Sequence, residues 1–299
     1  MTSSTDNLIP IPRRSMGFKK WFTEVGWRHL VGLLAVAFSI FPLLYVLSVS
    51  FNPIGTLTGS NALFRAFDPG NYVDLFSNPD APFLKWFLNT LLVGTVSGVG
   101  SVFLGALAAY AFSRMRFVGR RVGLLSLLLV QMFPQFLAVT AIFLLMVTIS
   151  DIWPQLGLGT HAGLILIYLG GALGVNTFLM YGFFNTVPTS IDEAAKIDGA
   201  SHARIFFTII LRLVMPILAV VGLLSFISAA GEFVIASVIL TNPDSQTLAV
   251  GLYTFVSQAQ SKNWGVFAAG AVISAIPIVT LFLFLQKYIV SGLTAGSVK

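Results

Sequence analysis

The sequence contains no cysteine among its 299 residues, and this absence excludes several kinds of site. Without thiols the chain can form no disulfide framework, no thiol nucleophile and no cysteine-ligated metal site. Only three histidines occur, and His29, His161 and His202 are too far apart to match the spacing of metal ligands. The phosphate-binding pattern G-x-x-x-x-G-K-[ST] is missing as well, so we expect no nucleotide-phosphate loop in this chain.

Charge is also scarce, because only 9% of the residues are charged while 56% are hydrophobic, including 27 phenylalanines. Soluble domains carry about 25% charged residues, and a surface with so little charge would aggregate in water. The composition therefore predicts an integral membrane protein. We interpret the net charge of +6 as the basic bias of cytoplasmic loops and expect no nucleic-acid partner.

Six apolar stretches are long enough to cross a bilayer, which takes roughly 20 helical residues. They cover residues 30–51, 86–112, 122–150, 162–184, 212–232 and 265–290. The third stretch contains Pro134, where we expect it to tilt or to kink. These stretches predict an all-α membrane protein with six transmembrane helices. Residues 1–29 would form a cytoplasmic N-terminal segment, and residues 30–299 the six-helix transmembrane domain.

Lysine and arginine are unevenly distributed between the connecting segments. Fourteen fall on one side, namely Arg13, Arg14, Lys19, Lys20, Arg28, Arg114, Arg116, Arg120, Arg121, Lys196, Arg204, Arg212, Lys287 and Lys299. The other side carries Arg65, Lys85 and Lys262. Because cytoplasmic loops are enriched in basic residues, both the N and C termini are predicted to be cytoplasmic. Residues 188–211 then form an inner loop, and residues 52–85 and 233–264 form outer loops.

Tryptophans lie near the predicted ends of the apolar stretches, as expected for an aromatic belt at the membrane interfaces. They are Trp21, Trp27, Trp86, Trp153 and Trp264. Their positions support the assignment of the six stretches as membrane spans.

The inner loop contains a short predicted helix. Ser190 followed by Glu193 forms a capping-box pattern, which predicts that the helix begins near Ile191. Gly199 is the type of residue that ends a helix, roughly two turns later. Such a short helix is not stable alone in water.

The sequence predicts no cytoplasmic domain that would receive this helix, so the simplest partner is another subunit. The small side chains of Ala194 and Ala195 are predicted to form the face on which that subunit packs.

The order of residues in this loop is Glu193-Ala-Ala-x-x-Asp198-Gly199-Ala200, followed by Phe206 and later by Pro216. This order resembles the EAA loop of ABC-importer permeases. The family usually has proline at the position of Arg212, and this sequence departs from the family there.

The C-terminal part resembles the six-span permeases of maltose-type sugar importers. The matching residues are Gln246-Thr-Leu-Ala-Val-Gly-Leu, Trp264-Gly-x-Phe-Ala-Ala-Gly270, Pro277 and Gly292-Leu-Thr-Ala-Gly-Ser-Val-Lys299. The similarity covers most of residues 28–299.

The resemblance implies a type I ABC importer permease architecture in a bacterial or archaeal cytoplasmic membrane. The implied partners are a second permease subunit, two copies of a cytoplasmic ATPase and an extracytoplasmic sugar-binding protein. The implied substrate is an oligosaccharide, a malto-oligosaccharide or a related disaccharide such as maltose or trehalose. The chain itself is expected to be a transport subunit and not an enzyme, and to bind no cofactor, since ATP and Mg would bind to the ATPase.

The same resemblance assigns candidate residues. Those expected to couple the chain to the ATPase are Glu193, Ala194, Ala195, Asp198, Gly199, Ala200 and Phe206. Those expected to contact the binding protein are Tyr253, Gln258, Gln260 and Asn263.

Neutral polar residues within the spans suit either sugar hydroxyls or helix–helix hydrogen bonds, and both interpretations stay open. Gln131, Asn176 and Ser228 are the candidates for the substrate pathway, while Gly94-x-x-x-Gly98 predicts a close helix approach. An importer for another solute, such as glycerol phosphate or a different sugar, is the alternative function. An ion-coupled sugar carrier is disfavoured, because the spans lack ionisable residues near their centres.

Overall fold

The computed structural model describes residues 17–54, 63–257 and 263–295. Every element within these ranges is helical, which confirms the predicted all-α class. Four of the basic residues used for the orientation lie outside the described residues, namely Arg13, Arg14, Lys262 and Lys299.

Besides two single-turn 3₁₀ helices, Pro154–Leu156 and Pro243–Ser245, the described part of the chain contains thirteen helices. They are α1 (Lys19–Ser50), α2 (Gly70–Ser77), α3 (Phe83–Arg114), α4 (Arg120–Gln131), α5 (Gln135–Ile152), α6 (His161–Ala172), α7 (Val175–Phe184), α8 (Thr189–Ile197), α9 (His202–Leu213), α10 (Met215–Gly231), α11 (Val234–Ile239), α12 (Leu248–Ser257) and α13 (Trp264–Ala295). Helix α1 runs across the predicted boundary between residues 29 and 30.

Three of these helices, α1, α3 and α13, are long and apolar enough to cross a membrane by themselves. The pairs α4–α5, α6–α7 and α9–α10 also qualify if each bent pair is one span, with bends of 99°, 51° and 81°. By length and composition the described residues therefore supply three continuous spans, or up to six when the bent pairs are included.

The bends correct two of the predicted spans. The bend between α4 and α5 occurs at Pro134, where a kink was predicted, because proline lacks an N–H and excludes helical geometry from the preceding residue. The stretch 162–184 was predicted to be continuous but breaks after Ala172. The predicted span 212–232 is also wrong at its start, since Arg212 lies on α9 before the 81° bend and α10 begins at Met215, with Pro216 in its first turn.

Helix α3 lies at the centre and packs against α6, α7 and α10, while α13 packs against α1, α10 and α12. The contact with α10 depends on small residues, since a Cβ on Gly94 would lie 2.9 Å from the Phe226 ring. At Gly98 the backbone of α10 itself approaches, with the Gly222 carbonyl oxygen 3.5 Å from a Cβ placed there. The close helix approach predicted from Gly94 and Gly98 is thus confirmed.

Both predicted outer loops contain packed helices. Leu75 on α2 is completely buried, and α11 and α12 bury Ile239 and Leu248. Trp86, predicted to lie at a membrane interface, is only 1% exposed, and its indole N–H donates to the Pro243 carbonyl over 2.8 Å. The interface interpretation is therefore wrong for Trp86, because this side chain fills the core between α3 and α12.

Candidate functional site

Helix α8, within the EAA-like loop, ends at Gly199 as predicted. This glycine has φ +78°, in the left-handed region that glycine adopts at no steric cost. Its N–H donates to the Lys196 carbonyl over 3.0 Å, and the Ala200 N–H donates to the Ala195 carbonyl over 2.9 Å. These two bonds form a Schellman motif, which satisfies carbonyls that a helix end otherwise leaves without partners.

The start of α8 differs from the predicted capping box. The helix begins at Thr189 after Pro188, and no side chain caps its N-terminus. Ser190 is already inside the helix, so it cannot act as the capping residue for Glu193. Pro188, with φ −57° and extended ψ, instead sets the direction in which the chain enters α8.

Helix α8 has one face against the rest of the chain and one face exposed. Ile191, Asp192 and Ala195 face inward, at the spacing that one side of a helix presents. The exposed face carries Glu193, Ala194, Lys196 and Ile197. Ile197 is 87% exposed and was not singled out from the sequence, although an apolar residue beside Asp198-Gly199 could have indicated it.

The prediction that Ala194 and Ala195 form one external face is wrong. Ala195 is 8% exposed and belongs to an apolar cluster with residues of α3, α7, α9 and α10. Helix α8 therefore packs against its own chain. Only Ala194 remains available to another subunit. The two side chains differ because adjacent helical residues point in directions about 100° apart.

The other candidate coupling residues also divide between the surface and the core. Asp198 and Gly199 are exposed, whereas Ala200 is half-buried against the same cluster. Phe206 is 3% exposed, and its ring centroid lies 5.0 Å from that of Tyr110. Phe206 therefore connects the loop to α3 and has no surface for direct contact with a partner.

A buried ion pair that sequence reasoning missed joins α8 to α3. Arg114 Nε lies 3.0 Å from Asp192 Oδ2, and each side chain is only 6% exposed. Arg114 Nη2 also donates to the Val187 carbonyl over 2.8 Å. In the sequence Asp192 resembles an ordinary first-turn acid, and nothing local distinguishes it from Glu193.

At the opposite end of α3, four side chains hold the segment before α12. Lys85 Nζ lies 2.7 Å from Asp244 Oδ2, and Asn89 donates to the carbonyls of Asp244 and Gln246 over 2.9 Å each. The Thr90 hydroxyl accepts from the Leu248 N–H over 2.7 Å. With the Trp86 bond, these contacts give the segment 242–248 a fixed position.

The candidate binding-protein residues differ in their surroundings. Tyr253 is 51% exposed, and its ring packs edge-on against Phe233 with centroids 4.9 Å apart. The Asn263 side chain accepts from the Val266 N–H over 3.1 Å and so caps α13. Gln258 and Gln260 lie outside the described residues.

A cavity of about 790 Å³ lies between α3, α4, α5, α6, α7 and α10, with the start of α11 at its edge. Its wall is largely apolar, and its polar side chains are those of Ser97, Ser101, Ser126, Gln131, Tyr168, Asn176, Ser225, Ser228 and Glu232. All three candidate pathway residues therefore line one space, although they come from three different helices.

The three candidates are not equally available to a ligand. Gln131 donates to the Gly171 carbonyl and accepts from the Val175 N–H over 3.0 Å, so its amide satisfies the backbone at the α6–α7 bend. Asn176 donates to the Ser225 hydroxyl over 3.0 Å, which joins α7 to α10. Ser228 is exposed, and its hydroxyl has no hydrogen-bond partner among the described residues.

Glu232 places a carboxylate on the wall of the same cavity. Its oxygens accept from the Ile235 N–H over 2.8 Å, from the Ala236 N–H over 2.9 Å and from the Tyr168 hydroxyl over 2.8 Å. These bonds cap α11 and tie it to α6. Glu232 lies at the break between α10 and α11, where the N–H groups at the start of α11 stabilise its carboxylate. This is how an acidic residue is accommodated so close to apolar surface.

Curated relatives match almost the whole chain. The galactooligosaccharides transport system permease protein GanQ of Bacillus subtilis is 40% identical over 277 residues, covering 91% of this chain and 96% of that protein. The maltose/maltodextrin transport system permease protein MalG of Escherichia coli is 40% identical over 281 residues, covering 91% of this chain and 94% of that protein.

A solved chain with a similar fold comes from a bacterial ABC transporter involved in the import of the acidic polysaccharide alginate. It aligns with a TM-score of 0.71 at 24% identity, covering 91% of this chain and 98% of that chain. The family model described as binding-protein-dependent transport system inner membrane component matches residues 101–295. This match includes α8, the Arg114–Asp192 pair and every residue that lines the cavity except Ser97, and the chain belongs to this family of ABC-importer permease subunits.

Proposed function

We propose that this chain is one of two transmembrane permease subunits of an ATP-driven oligosaccharide importer in a bacterial or archaeal cytoplasmic membrane. The single observation that carries the proposal is α8, a short helix with one face held in the core and the other face free. Maltodextrins and galactooligosaccharides are the favoured substrates, because relatives named for them match nine-tenths of the chain. An importer for glycerol phosphate or another sugar is the alternative.

The proposed topology has six spans, in which each bent helix pair crosses the membrane once. Both termini and the segment 188–211 are cytoplasmic in this arrangement, and the segments 52–85 and 233–264 are extracytoplasmic. The uneven distribution of lysine and arginine supports it.

The exposed face of α8 is proposed to dock on a cytoplasmic ATPase, of which the importer would hold two copies. Glu193 and Lys196 offer charges on this face, and Ile197 offers an apolar side chain that is 87% exposed. ATP and Mg would bind to the ATPase. Because both the Schellman motif and the core contacts fix α8, a movement of the ATPase would displace the helix as a unit.

The segment 242–264 is proposed to contact an extracytoplasmic sugar-binding protein, with Gln258 and Gln260 in this contact. Its described part is a stable platform, since side chains of α3 fix residues 242–248. Tyr253 supplies an exposed aromatic side chain of the kind enriched at interfaces.

Tyr253 and Asn263 provide a test of this surface. Tyr253→Ser should weaken binding of the binding protein and lower thermal stability only slightly, through loss of the ring contact with Phe233. Asn263→Ala should lower stability by about 1 kcal/mol through loss of the cap, and Asn263→Asp should restore it. Binding is measured by surface plasmon resonance on the importer in nanodiscs, and unchanged binding of the Tyr253→Ser variant would contradict the contact.

The cavity is proposed to form this subunit's part of the sugar pathway. Its volume of about 790 Å³ falls in the range of about 300–1,000 Å³ typical of ligand pockets. Ser228 and Asn176 are the side chains best placed for sugar hydroxyls, whereas the Gln131 amide is already engaged by the backbone.

The whole proposal is tested by purifying the tagged chain with its co-expressed partners and reconstituting the complex in proteoliposomes. Radiolabelled maltotriose, galactotriose and glycerol 3-phosphate are supplied in separate assays, each with its binding protein. ATP-dependent uptake of one of the trisaccharides that survives an ionophore is expected. Uptake of glycerol phosphate alone would favour the alternative, and uptake that needs an ion gradient but no ATP would overturn the importer.

A further inference from the structure

Arg114 contacts both α8 itself, at Asp192, and the segment that precedes α8, at Val187. Arg114 is the last residue of α3, and its guanidinium reaches the Asp192 carboxylate over 3.0 Å and the Val187 carbonyl over 2.8 Å. The planar guanidinium presents several donors in a fixed fork, which allows one side chain to hold two acceptors. The end of α3 is thus fixed to the chain on both sides of Pro188.

The Arg114 guanidinium is the main group that stabilises the buried charge of the Asp192 carboxylate. Among the described residues no hydrogen bond to either Asp192 carboxylate oxygen is found, and both atoms are inaccessible to solvent. The neighbouring side chains form an apolar cluster that includes Ala109, Tyr110, Val187, Ala195 and Phe206. A carboxylate in such surroundings depends on its cation, because burying an unpaired charge is strongly unfavourable.

Stability alone is a weak reason for such a pair. Replacing a buried ion pair with apolar residues of similar volume is often neutral or stabilising, since both charges must be desolvated. What the ion pair adds is one specific partner: apolar contacts tolerate sliding, whereas the Asp192 carboxylate can leave the guanidinium 3.0 Å away only by becoming an unpaired buried charge. The pair therefore fixes the position of α8 relative to α3 more strictly than Ile191 and Ala195 can.

Helix α3 is the element that would pass a displacement on. It spans 32 residues, packs against α6, α7 and α10, and lines the cavity with Ser97 and Ser101. We propose that Arg114 and Asp192 are positioning residues that couple displacement of α8 to α3, and thereby ATP hydrolysis to opening of the sugar pathway. This inference rests on the proposed docking of α8 on the ATPase.

The decisive variant replaces both charges at once, Arg114→Met with Asp192→Leu, so that no unpaired charge remains buried. The matched control replaces the exposed Lys20–Glu24 pair of α1 in the same way, Lys20→Met with Glu24→Leu. That pair is 3.8 Å apart with side chains 67% and 52% exposed, and exposed pairs contribute little. Each importer is assayed in proteoliposomes for maltotriose uptake, or for the trisaccharide that the unmodified importer transports, and for ATP hydrolysis.

The expected result is an assembled Arg114–Asp192 variant that hydrolyses ATP but transports about tenfold less sugar per ATP, within the range of 5–150-fold typical of coupling between sites. The Lys20–Glu24 control should transport as much sugar per ATP hydrolysed as the unmodified importer. An unchanged ratio in the Arg114–Asp192 variant would overturn the inference, as would failure of this variant to assemble. Absence of ATP-dependent uptake in the unmodified importer would instead contradict the proposed function itself.

Discussion

A Cβ at Gly199 would meet no atom within 4 Å, yet the φ of +78° lies where L side chains are strained. At Gly251 the backbone is ordinary helix, but a Cβ there would lie 2.1 Å from Cδ2 of Trp86. The two glycines are thus required for different reasons, one for its backbone conformation and the other for the close approach of α12 to α3.

Gly199→Ala is expected to destabilise the end of α8 by about 1–2 kcal/mol, because alanine is strained in the left-handed region. Stimulation of the ATPase by the sugar-loaded binding protein should fall, and Gly199→Asn should retain more of it, since asparagine tolerates this conformation. Gly119→Ala is the control, with φ +84°, open space and a position outside the EAA-like loop. Equal loss of stimulation in both alanine variants would argue against a specific role for Gly199.

Gly251→Ala is expected to lower thermal stability by about 1–3 kcal/mol, because the methyl group overlaps the indole of a buried tryptophan. Gly182→Ala on α7 meets nothing within 4 Å and should be neutral or stabilising by about 0.5–1 kcal/mol. Thermal unfolding in detergent, followed by tryptophan fluorescence, measures both. A Gly251→Ala variant as stable as Gly182→Ala would contradict the packing of α12 on Trp86.

At this scale the sequence predicted what depends on one residue and its immediate neighbours. Gly199 ends α8 because its own φ allows the turn, and this was predicted correctly. Asp192 and Glu193 are adjacent acids in the same turn, and only the position of Arg114 determines that Asp192 is buried while Glu193 is exposed.

At the scale of elements, the bends between helices need side chains from other helices. The α6–α7 bend leaves the Gly171 carbonyl and the Val175 N–H without helical partners, and Gln131 at the end of α4 supplies both. Gly174 leaves room for it, since a Cβ there would lie 2.3 Å from the Gln131 side chain. The run Gly170-Gly171 followed by Gly174 was the available sign of a break.

Gln131→Ala should loosen the α6–α7 bend by about 0.5–1.5 kcal/mol for each hydrogen bond lost, because the Gly171 carbonyl and the Val175 N–H lose their side-chain partner. Hydrogen exchange by mass spectrometry should report faster exchange around residues 171–176. Ser228→Ala, which alters the same cavity wall without touching the bend, should leave this exchange unchanged and lower sugar uptake. If Gln131→Ala changed uptake without changing exchange, a direct contact with the sugar would be the better interpretation.

For the whole molecule, the proposed topology predicts that α8 and the segment before α12 lie on opposite sides of the membrane. The chain has no cysteine, so single thiols can be introduced without a background. In vesicles that lack the ATPase, so that α8 is uncovered, Ile197→Cys should react with a membrane-impermeant maleimide only when the vesicles are inside-out, and Thr241→Cys only from the outside. Both positions are exposed. Labelling of both from one side would contradict the six-span arrangement.

The sequence by itself determined the membrane class, the approximate helical stretches and the resemblance to importer permeases, because apolar content, basic bias and the EAA-like order are properties of consecutive residues. Only the tertiary structure decided that the stretch 162–184 is broken and that a bend precedes α10, that Trp86 and Phe206 are buried, and that Gln131 and Asn263 satisfy backbone groups. It also revealed the Arg114–Asp192 pair. These features depend on which side of a helix meets which neighbour, and a hydrogen bond or ion pair between distant residues exists only after the helices pack.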